Sequence, residues 1–384
     1  MRCPYCFKGK KRARSMTLET AKAAMDWLLE ASGGSPSISI VFFGGEPLLE
    51  FDLLRETVEY ASLRGSQQGK RVFFSITSNL SLVSDEVVGF FRKWGIGFHA
   101  SIDGIPEIQD TYRKFRDGQP SSRIVEENAR KVLSYWPNCH ARCTYGPDTV
   151  GYLARDLEYF AGIGFMRFAF TPAVGDHWSA EALSVFEDQF RQLGDIYIRN
   201  LRRGRRLEIA ALEYGVAVVD RKDPTPWHCG AGVGMLAVDV EGFLWPCHRM
   251  NGLGRDEQWI LGSVFGGFEN AKRDVFLDLV PSLDRSGDCE QCDTGTFCSI
   301  PCIAENWELS RDIYKPHPSI CAIFRIMAAE TRRIRKRLEL SDNAALGAIL
   351  SDWGPRVGLA GGRSGPIEGG LDAVPRRGSM TCFI

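Results

Sequence analysis

Between residues 17 and 203 the apolar positions alternate between two spacings. Ala21, Ala24, Met25, Leu28 and Leu29 recur at helical intervals, and the run SISIVFF at 37–43 then reads as a buried strand. A helix follows through Leu53, Leu54, Val58 and Ala61, with the strand RVFFSIT at 71–77 after it. Ser84 is placed as an N-cap, with Asp85 and Glu86 in the first turn of a helix that reaches Trp94 and stops at Gly95. Further strands are predicted near 97–102, 138–144 and 166–171, and further helices near 124–135, 151–161 and 179–203. Five strands alternating with helices predict parallel pairing through right-handed crossovers, in a sheet that is either open and doubly wound or curved toward a barrel.

In both architectures ligands gather at the carboxyl ends of the strands. Three segments fall there: GGEP at 44–47, TSN at 77–79 and SIDG at 101–104. Gly44 and Gly45 let a backbone approach a ligand closely and Glu46 offers an acceptor, although a turn followed by Pro47 at a helix start explains the same letters.

Composition narrows the class. The 384 residues, 44% hydrophobic, suffice for one large core and a smaller one, so one to three domains are expected. With 47 Lys and Arg against 48 Asp and Glu, charge gives no reason to expect a nucleic-acid or membrane-surface partner, and the basic runs Lys8–Arg14 and Arg202–Arg206 read as solvated faces. No apolar run approaches the roughly 20 residues of a membrane span and no signal-peptide pattern opens the chain, so a cytoplasmic location is expected.

The twelve cysteines do not fit an ordinary soluble chain. A long chain without a signal peptide favours metal ligation over a disulfide scaffold. Cys139 and Cys143 are the exception: they lie on one face of a predicted strand and read as buried thiols. The segment MLAVDVEGFLWPC reads as a hairpin with Glu241 and Gly242 at the turn and Cys247 at a strand end. Beyond a helix through Arg325–Leu340, residues 341–384 form a Gly-rich tail expected to be disordered, with Met380, Cys382, Phe383 and Ile384 as an apolar end.

RCPYCF at the start, FFGGEP after the next strand and SIDG after a later one together resemble the core of a radical S-adenosylmethionine (SAM) enzyme, whose signature is C-x-x-x-C-x-x-C. The resemblance implies that Cys3 and Cys6 are the second and third ligands of a [4Fe-4S] cluster that chelates SAM. It implies SAM contacts from Tyr5, Gly44, Gly45, Glu46, Asn79 and Ser101. The first ligand would fall two residues before Met1, and the family's barrel has six strands where five are read. The expectation is therefore an α/β fold with a partial (β/α)6 barrel lacking its first strand, over 1–205, in a protein that extends upstream.

Cys229, Cys247, Cys289, Cys292, Cys298, Cys302 and Cys321, with Gly242, resemble a SPASM domain, a small cysteine-rich α+β unit placed at 206–340. That likeness implies up to two auxiliary [4Fe-4S] clusters, one on Cys289, Cys292, Cys298 and Cys321 and the other on Cys229, Cys247 and Cys302. It further implies a 5'-deoxyadenosyl radical that abstracts hydrogen from a ribosomally made precursor peptide and installs a thioether or carbon–carbon crosslink. An electron donor such as a flavodoxin or ferredoxin would be a partner. His248 is a candidate base, and its place directly after Cys247 favours such maturases over the anaerobic sulfatase type, which has an Asp there. An anaerobic sulfatase-type protein maturase and a non-catalytic zinc-binding scaffold remain the alternatives.

Overall fold

The computed structural model describes residues 1–8, 14–173, 175, 178–220, 230–252, 256–277, 292, 294, 297, 298, 302–341, 343–353 and 380–384. Its N-terminal half alternates strand and helix as the apolar spacing predicts. Strands β1 (Ser37–Phe42), β2 (Arg71–Ser78), β3 (Gly97–Ser101), β4 (His140–Tyr145) and β5 (Arg167–Pro172) pair in parallel in that order. A short β6 (Glu208–Ile209) pairs with β5. Helices α1 (Leu18–Ala31), α2 (Phe51–Gln67), α3 (Asp85–Trp94), α4 (Pro106–Tyr112), α5 (Ser122–Tyr135), α6 (Leu153–Ile163) and α7 (Ala180–Arg202) fill the connections. Ser84 caps α3, its side chain accepting from Val87 N, and Gly95 ends that helix at φ 62°. α4, only seven residues long and interrupted by polar positions, escaped the periodicity.

One sheet face carries Ile40, Ile76, Ala100, Ala141 and Phe168, all buried in the helix-covered core. Phe98 fixes the direction, since its ring meets Phe91 of α3 at 5.1 Å and Trp136 after α5 at 5.3 Å. Period-two alternation then sends Ser39, Val41, Thr77, His99, Ser101 and Arg142 to the opposite, inner face.

After α8 (Ala210–Val218) comes the hairpin β7 (Met235–Val238) and β8 (Phe243–Trp245), extended by β9 (Gly262–Ser263) and β10 (Gly267–Phe268). Asp239 shapes its turn by accepting from Glu241 N at 2.9 Å, Phe243 N at 3.0 Å and Trp245 Nε1 at 3.0 Å, while Gly242 takes φ 87°. Helices α9 (Asn270–Leu277), α10 (Ile303–Ser310), α11 (Pro318–Ser341) and α12 (Asn343–Trp353) follow, and α11 packs along α7 and α8.

The tail departs from expectation at both of its described ends. α12 is ordered because Leu346, Ile349 and Trp353 form a buried stripe and Trp353 Nε1 donates to the fully buried Glu213 at 2.9 Å. Met380–Phe383 is a strand, β11, that runs parallel between β1 and β7. The place beside β1, expected to be empty, is thus held by the C-terminal strand. The resulting sheet has eleven strands in the order β10-β9-β8-β7-β11-β1-β2-β3-β4-β5-β6.

Candidate functional site

The cysteine loop at the N-terminus lies against the carboxyl ends of β3 and β4. Tyr5 donates its hydroxyl to Asp103 Oδ2, and Arg113 Nε sits 2.8 Å from the same oxygen, an ion contact in which the N–H points off the hydrogen-bond line. Asp103 Oδ1 accepts from Thr144 N at 3.1 Å, its own N–H donates to Gln109 Oε1 at 3.0 Å, and the Arg113 guanidinium lies 5.6 Å from the Tyr5 ring centroid. Arg2 N donates to Lys114 O at 3.1 Å, tying the loop to the segment after α4. Burial works against the charge of Arg113, but Asp103 beside it more than compensates and keeps the guanidinium firmly protonated. Within the loop Cys6 N donates to Cys3 O at 3.3 Å, and both thiols keep part of their surface exposed.

The Gly-Gly turn after β1 forms the next wall. A Cβ at Gly44 or Gly45 would meet no atom within 4 Å, so the backbone there borders open space. Glu46 is buried and already engaged. Its Oε1 accepts from Ser78 Oγ at 2.9 Å and caps the following turn through Leu48 N at 3.2 Å, and its Oε2 accepts from Asn79 N at 2.7 Å. Burial raises its pKa and these three donors pull it back. The Asn79 side chain is likewise occupied, accepting from Ser81 N at 2.9 Å. Ser101 ends β3, opposite Arg142 of β4.

His248 arrives from the C-terminal half. Its ring lies 4.7 Å from Phe43, 5.9 Å from Phe7 and 4.3 Å from Phe383. Burial holds its pKa well below the usual range, and the charges of Lys8, Arg249 and Arg142 push the same way, so the imidazole is neutral. Lys8 is lowered to about 8 by burial, against the opposing pull of Cys6 and Cys247. The aromatic set Phe7, Phe43 and Phe383 was invisible in the sequence, because its members come from three distant segments.

Cys247 and Cys302 meet across Arg249, whose Nη1 lies 3.3 Å from Cys302 Sγ and 4.0 Å from Glu305 Oε2. Burial, and then the Cys302 thiol, raise Cys247 to about 11. Cys292 lies beside Thr294, with Sγ and Oγ1 3.0 Å apart, and hydrogen bonds from Thr294 and Arg325 outweigh burial to lower its pKa. Cys298 and Cys321 are half-buried, and Cys229 and Cys289 lie outside the described residues. Among the described residues no three Cys, His, Asp or Glu side chains converge on one metal-sized point. Cys139 and Cys143 are buried thiols, Cys139 raised to about 12 by burial, and Cys143 Sγ donates to Asp103 O at 3.0 Å.

Residues 1–160 match the sequence profile of the Radical SAM superfamily. That stretch holds the cysteine loop, the Gly44–Gly45 turn and Asp103. Over 321 residues, 79% of its length and 84% of the relative's, it is 20% identical to a cysteine-type anaerobic sulfatase-maturating enzyme of Clostridium novyi. Its fold is similar to that of native anSMEcpe with bound AdoMet and Cp18Cys peptide (TM-score 0.71, 18% identity, covering 88% of this chain and 96% of the other). It is also similar to that of Streptococcus suis SuiB bound to precursor peptide SuiA (TM-score 0.52, 16% identity, 83% and 72%). A match to that superfamily implies, in general, SAM and an iron–sulfur cluster as cofactors. The donor chemistry fits, since the Cys3 and Cys6 thiols keep part of their surface exposed and thiolates suit iron–sulfur ligation, and the open ground beside Gly44 and Gly45 leaves room for a small molecule.

Proposed function

We propose that this protein is a radical SAM peptide maturase with a SPASM-type auxiliary domain. The observation that supports it most directly is that the segments after the Cys3–Cys6 pair, before the Gly44–Gly45 turn and after Cys247 meet, Phe7 and Phe43 each contacting the other and the His248 ring. In this reading residues 1–205 make the (β/α)6 part, 206–340 the auxiliary part, and β11 completes the sheet between them. Cys3 and Cys6 would hold the SAM-binding cluster. Cys247 and Cys302 with Cys229, and Cys292, Cys298 and Cys321 with Cys289, would hold up to two auxiliary clusters. When bound, these groups supply one-electron cleavage of SAM, hydrogen abstraction from an unactivated carbon, and acceptance of the second electron.

The chain's own residues do the positioning. The Arg113–Asp103–Tyr5 set holds the cysteine loop at a fixed height over β3. Gly44 and Gly45 give room for a ligand, and Tyr5 and Ser101 border it; Glu46 and Asn79 act by fixing the turn, with one carboxylate lone pair left for contact. Phe7, Phe43 and Phe383 surround His248, the candidate base. Its neutral ring would take the proton given up by a thiol S–H for a thioether or by a second C–H for a carbon–carbon bond, though burial and the nearby cations weaken it as a base. The substrate is a ribosomally made precursor peptide and the product carries a thioether or carbon–carbon crosslink, with reducing electrons from a flavodoxin- or ferredoxin-type donor in the cytoplasm. Two peptide-bound structures of similar fold support a peptide substrate.

A second reading, sulfatase-type maturation, is favoured by the Clostridium novyi relative and by the higher TM-score of anSMEcpe. Anaerobic incubation of the iron- and sulfide-reconstituted protein, prepared with all three thiolates of the C-x-x-x-C-x-x-C signature, with SAM, dithionite and either a precursor peptide encoded beside it or a sulfatase peptide separates the two. A 2 Da loss from the precursor peptide, with 5'-deoxyadenosine formed, is the expected result. Modification of the sulfatase peptide alone selects the second reading, and zinc as the dominant bound metal with no 5'-deoxyadenosine rejects both.

A further inference from the structure

β11 sits in the fold as a peptide sits in a binding site. It runs parallel to both neighbours, with Met380 opposite Ile38 and Phe383 opposite Val41 on one side, and Thr381 opposite Met235 and Phe383 opposite Ala237 on the other. Bonds beyond the ladder secure its ends: Thr381 N donates to Gly234 O at 2.8 Å, Phe43 N to Ile384 O at 2.7 Å and Ile384 N to Val41 O at 3.0 Å. All four strand residues are buried.

Its side chains divide by face. Met380 and Cys382 enter the helix-covered core, whereas Phe383 packs with Val41, Ala237 and Trp245 and meets the His248 ring. Among the described residues none of the side chains from 380 to 384 is hydrogen-bonded outside the strand; the Cys382 thiol reaches only Phe383 O, at 3.8 Å. The strand is therefore held by main-chain pairing and apolar fit, the two elements of recognition by strand addition. In sequence, 26 residues separate Trp353 from Met380.

We infer that the slot between β1 and β7 is a strand-accepting site for an extended peptide, and that Met380–Ile384 is its resident but separable occupant. The slot selects chemistry at alternate positions. It takes unbranched or small apolar side chains where Met380 and Cys382 point outward, and an aromatic ring where Phe383 covers His248. Proline is refused throughout the middle, since both edges of the occupant are paired. The inference is independent of the enzymatic reading.

The test uses the full chain with a protease recognition sequence placed within 354–379, cut after purification, and a fluorescent peptide GSMTCFI matching residues 378–384. The cut protein should exchange its terminal fragment for the labelled peptide at one per chain. The same peptide with proline in place of Cys382 should bind at least tenfold more weakly. Hydrogen exchange in Ser37–Phe42 and Met235–Val238 should speed up when the fragment is removed and slow again when the peptide is added. An uncut Cys382→Pro chain that keeps its circular dichroism should also capture the peptide, and uncut wild type should not. Equal binding of the proline peptide, or a fragment that never exchanges under a large excess of peptide, overturns the inference.

Discussion

At the scale of single residues, Asp103 controls the site. It is 1% exposed, and its two oxygens serve Tyr5, Arg113 and Thr144. Removing one partner of a buried pair leaves the other charge uncompensated, so Arg113→Ala should cost about 3–5 kcal/mol of stability by chemical denaturation. It should also loosen the cysteine loop, seen as faster hydrogen exchange at residues 1–8. Asp156 gives a pH signature. Burial raises it from 3.8 to about 7 although Ile105 N donates to its Oδ1 at 2.9 Å. A carboxyl raised in the folded state binds more protons folded than unfolded between those values. Its contribution is thus full below about pH 4 and lost as pH climbs through about 7. Asp156→Asn keeps the acceptor for Ile105, so thermal denaturation should show wild type losing stability across that window and the variant losing markedly less.

At the scale of elements, the packing of α7 on α11 depends on an absent side chain. A Cβ at Gly194 would come within 1.9 Å of Glu330 Oε1 and 3.0 Å of Ile334 Cδ1. Glu330 is pinned by Arg333, whose Nε donates to its Oε2 at 2.7 Å, so it has little freedom to withdraw. Gly194→Val should therefore destabilise by roughly 1–3 kcal/mol in urea melts, whereas Gly347→Ala on α12, with nothing within 4 Å, should be close to neutral or slightly stabilising. α12 itself was open to reading from sequence, since Leu346, Ile349 and Trp353 repeat at helical spacing; the nearby glycines masked it. β11 was not. Five residues after a Gly-rich run have no period of their own, and their strand form comes from two partners about 340 and 145 positions away in the chain.

At the scale of the whole molecule, the hairpin sheet and the parallel sheet become one through β11, and Phe7 of the cysteine loop meets His248, the neighbour of Cys247. Cluster loading should tie the same halves together from the other side. Reconstitution with iron and sulfide should raise the protease resistance of 230–341, and chelation should reverse it. In the protein with all three thiolates of the C-x-x-x-C-x-x-C signature, Cys292→Ala should lower iron content and peptide modification while leaving SAM cleavage in place, read by iron assay, mass spectrometry and 5'-deoxyadenosine yield. Retained modification at normal rate with that iron lost would remove the electron-accepting role.

The parallel strands β1 to β5, their helices, the hairpin turn and the thiol pairs were present in the sequence, because each rests on local period, capping or ligand spacing within a few residues. The tertiary structure alone decided the rest. It brought the Ser78, Asn79 and Leu48 donors to the Glu46 carboxylate, contacts that no local pattern in the sequence announces. It gathered Phe7, Phe43 and Phe383 around His248, and it set the chain's last residues beside β1. Most of those contacts join segments tens to hundreds of residues apart, and their free energy comes from apolar burial and hydrogen bonds that exist only once both partners are in place.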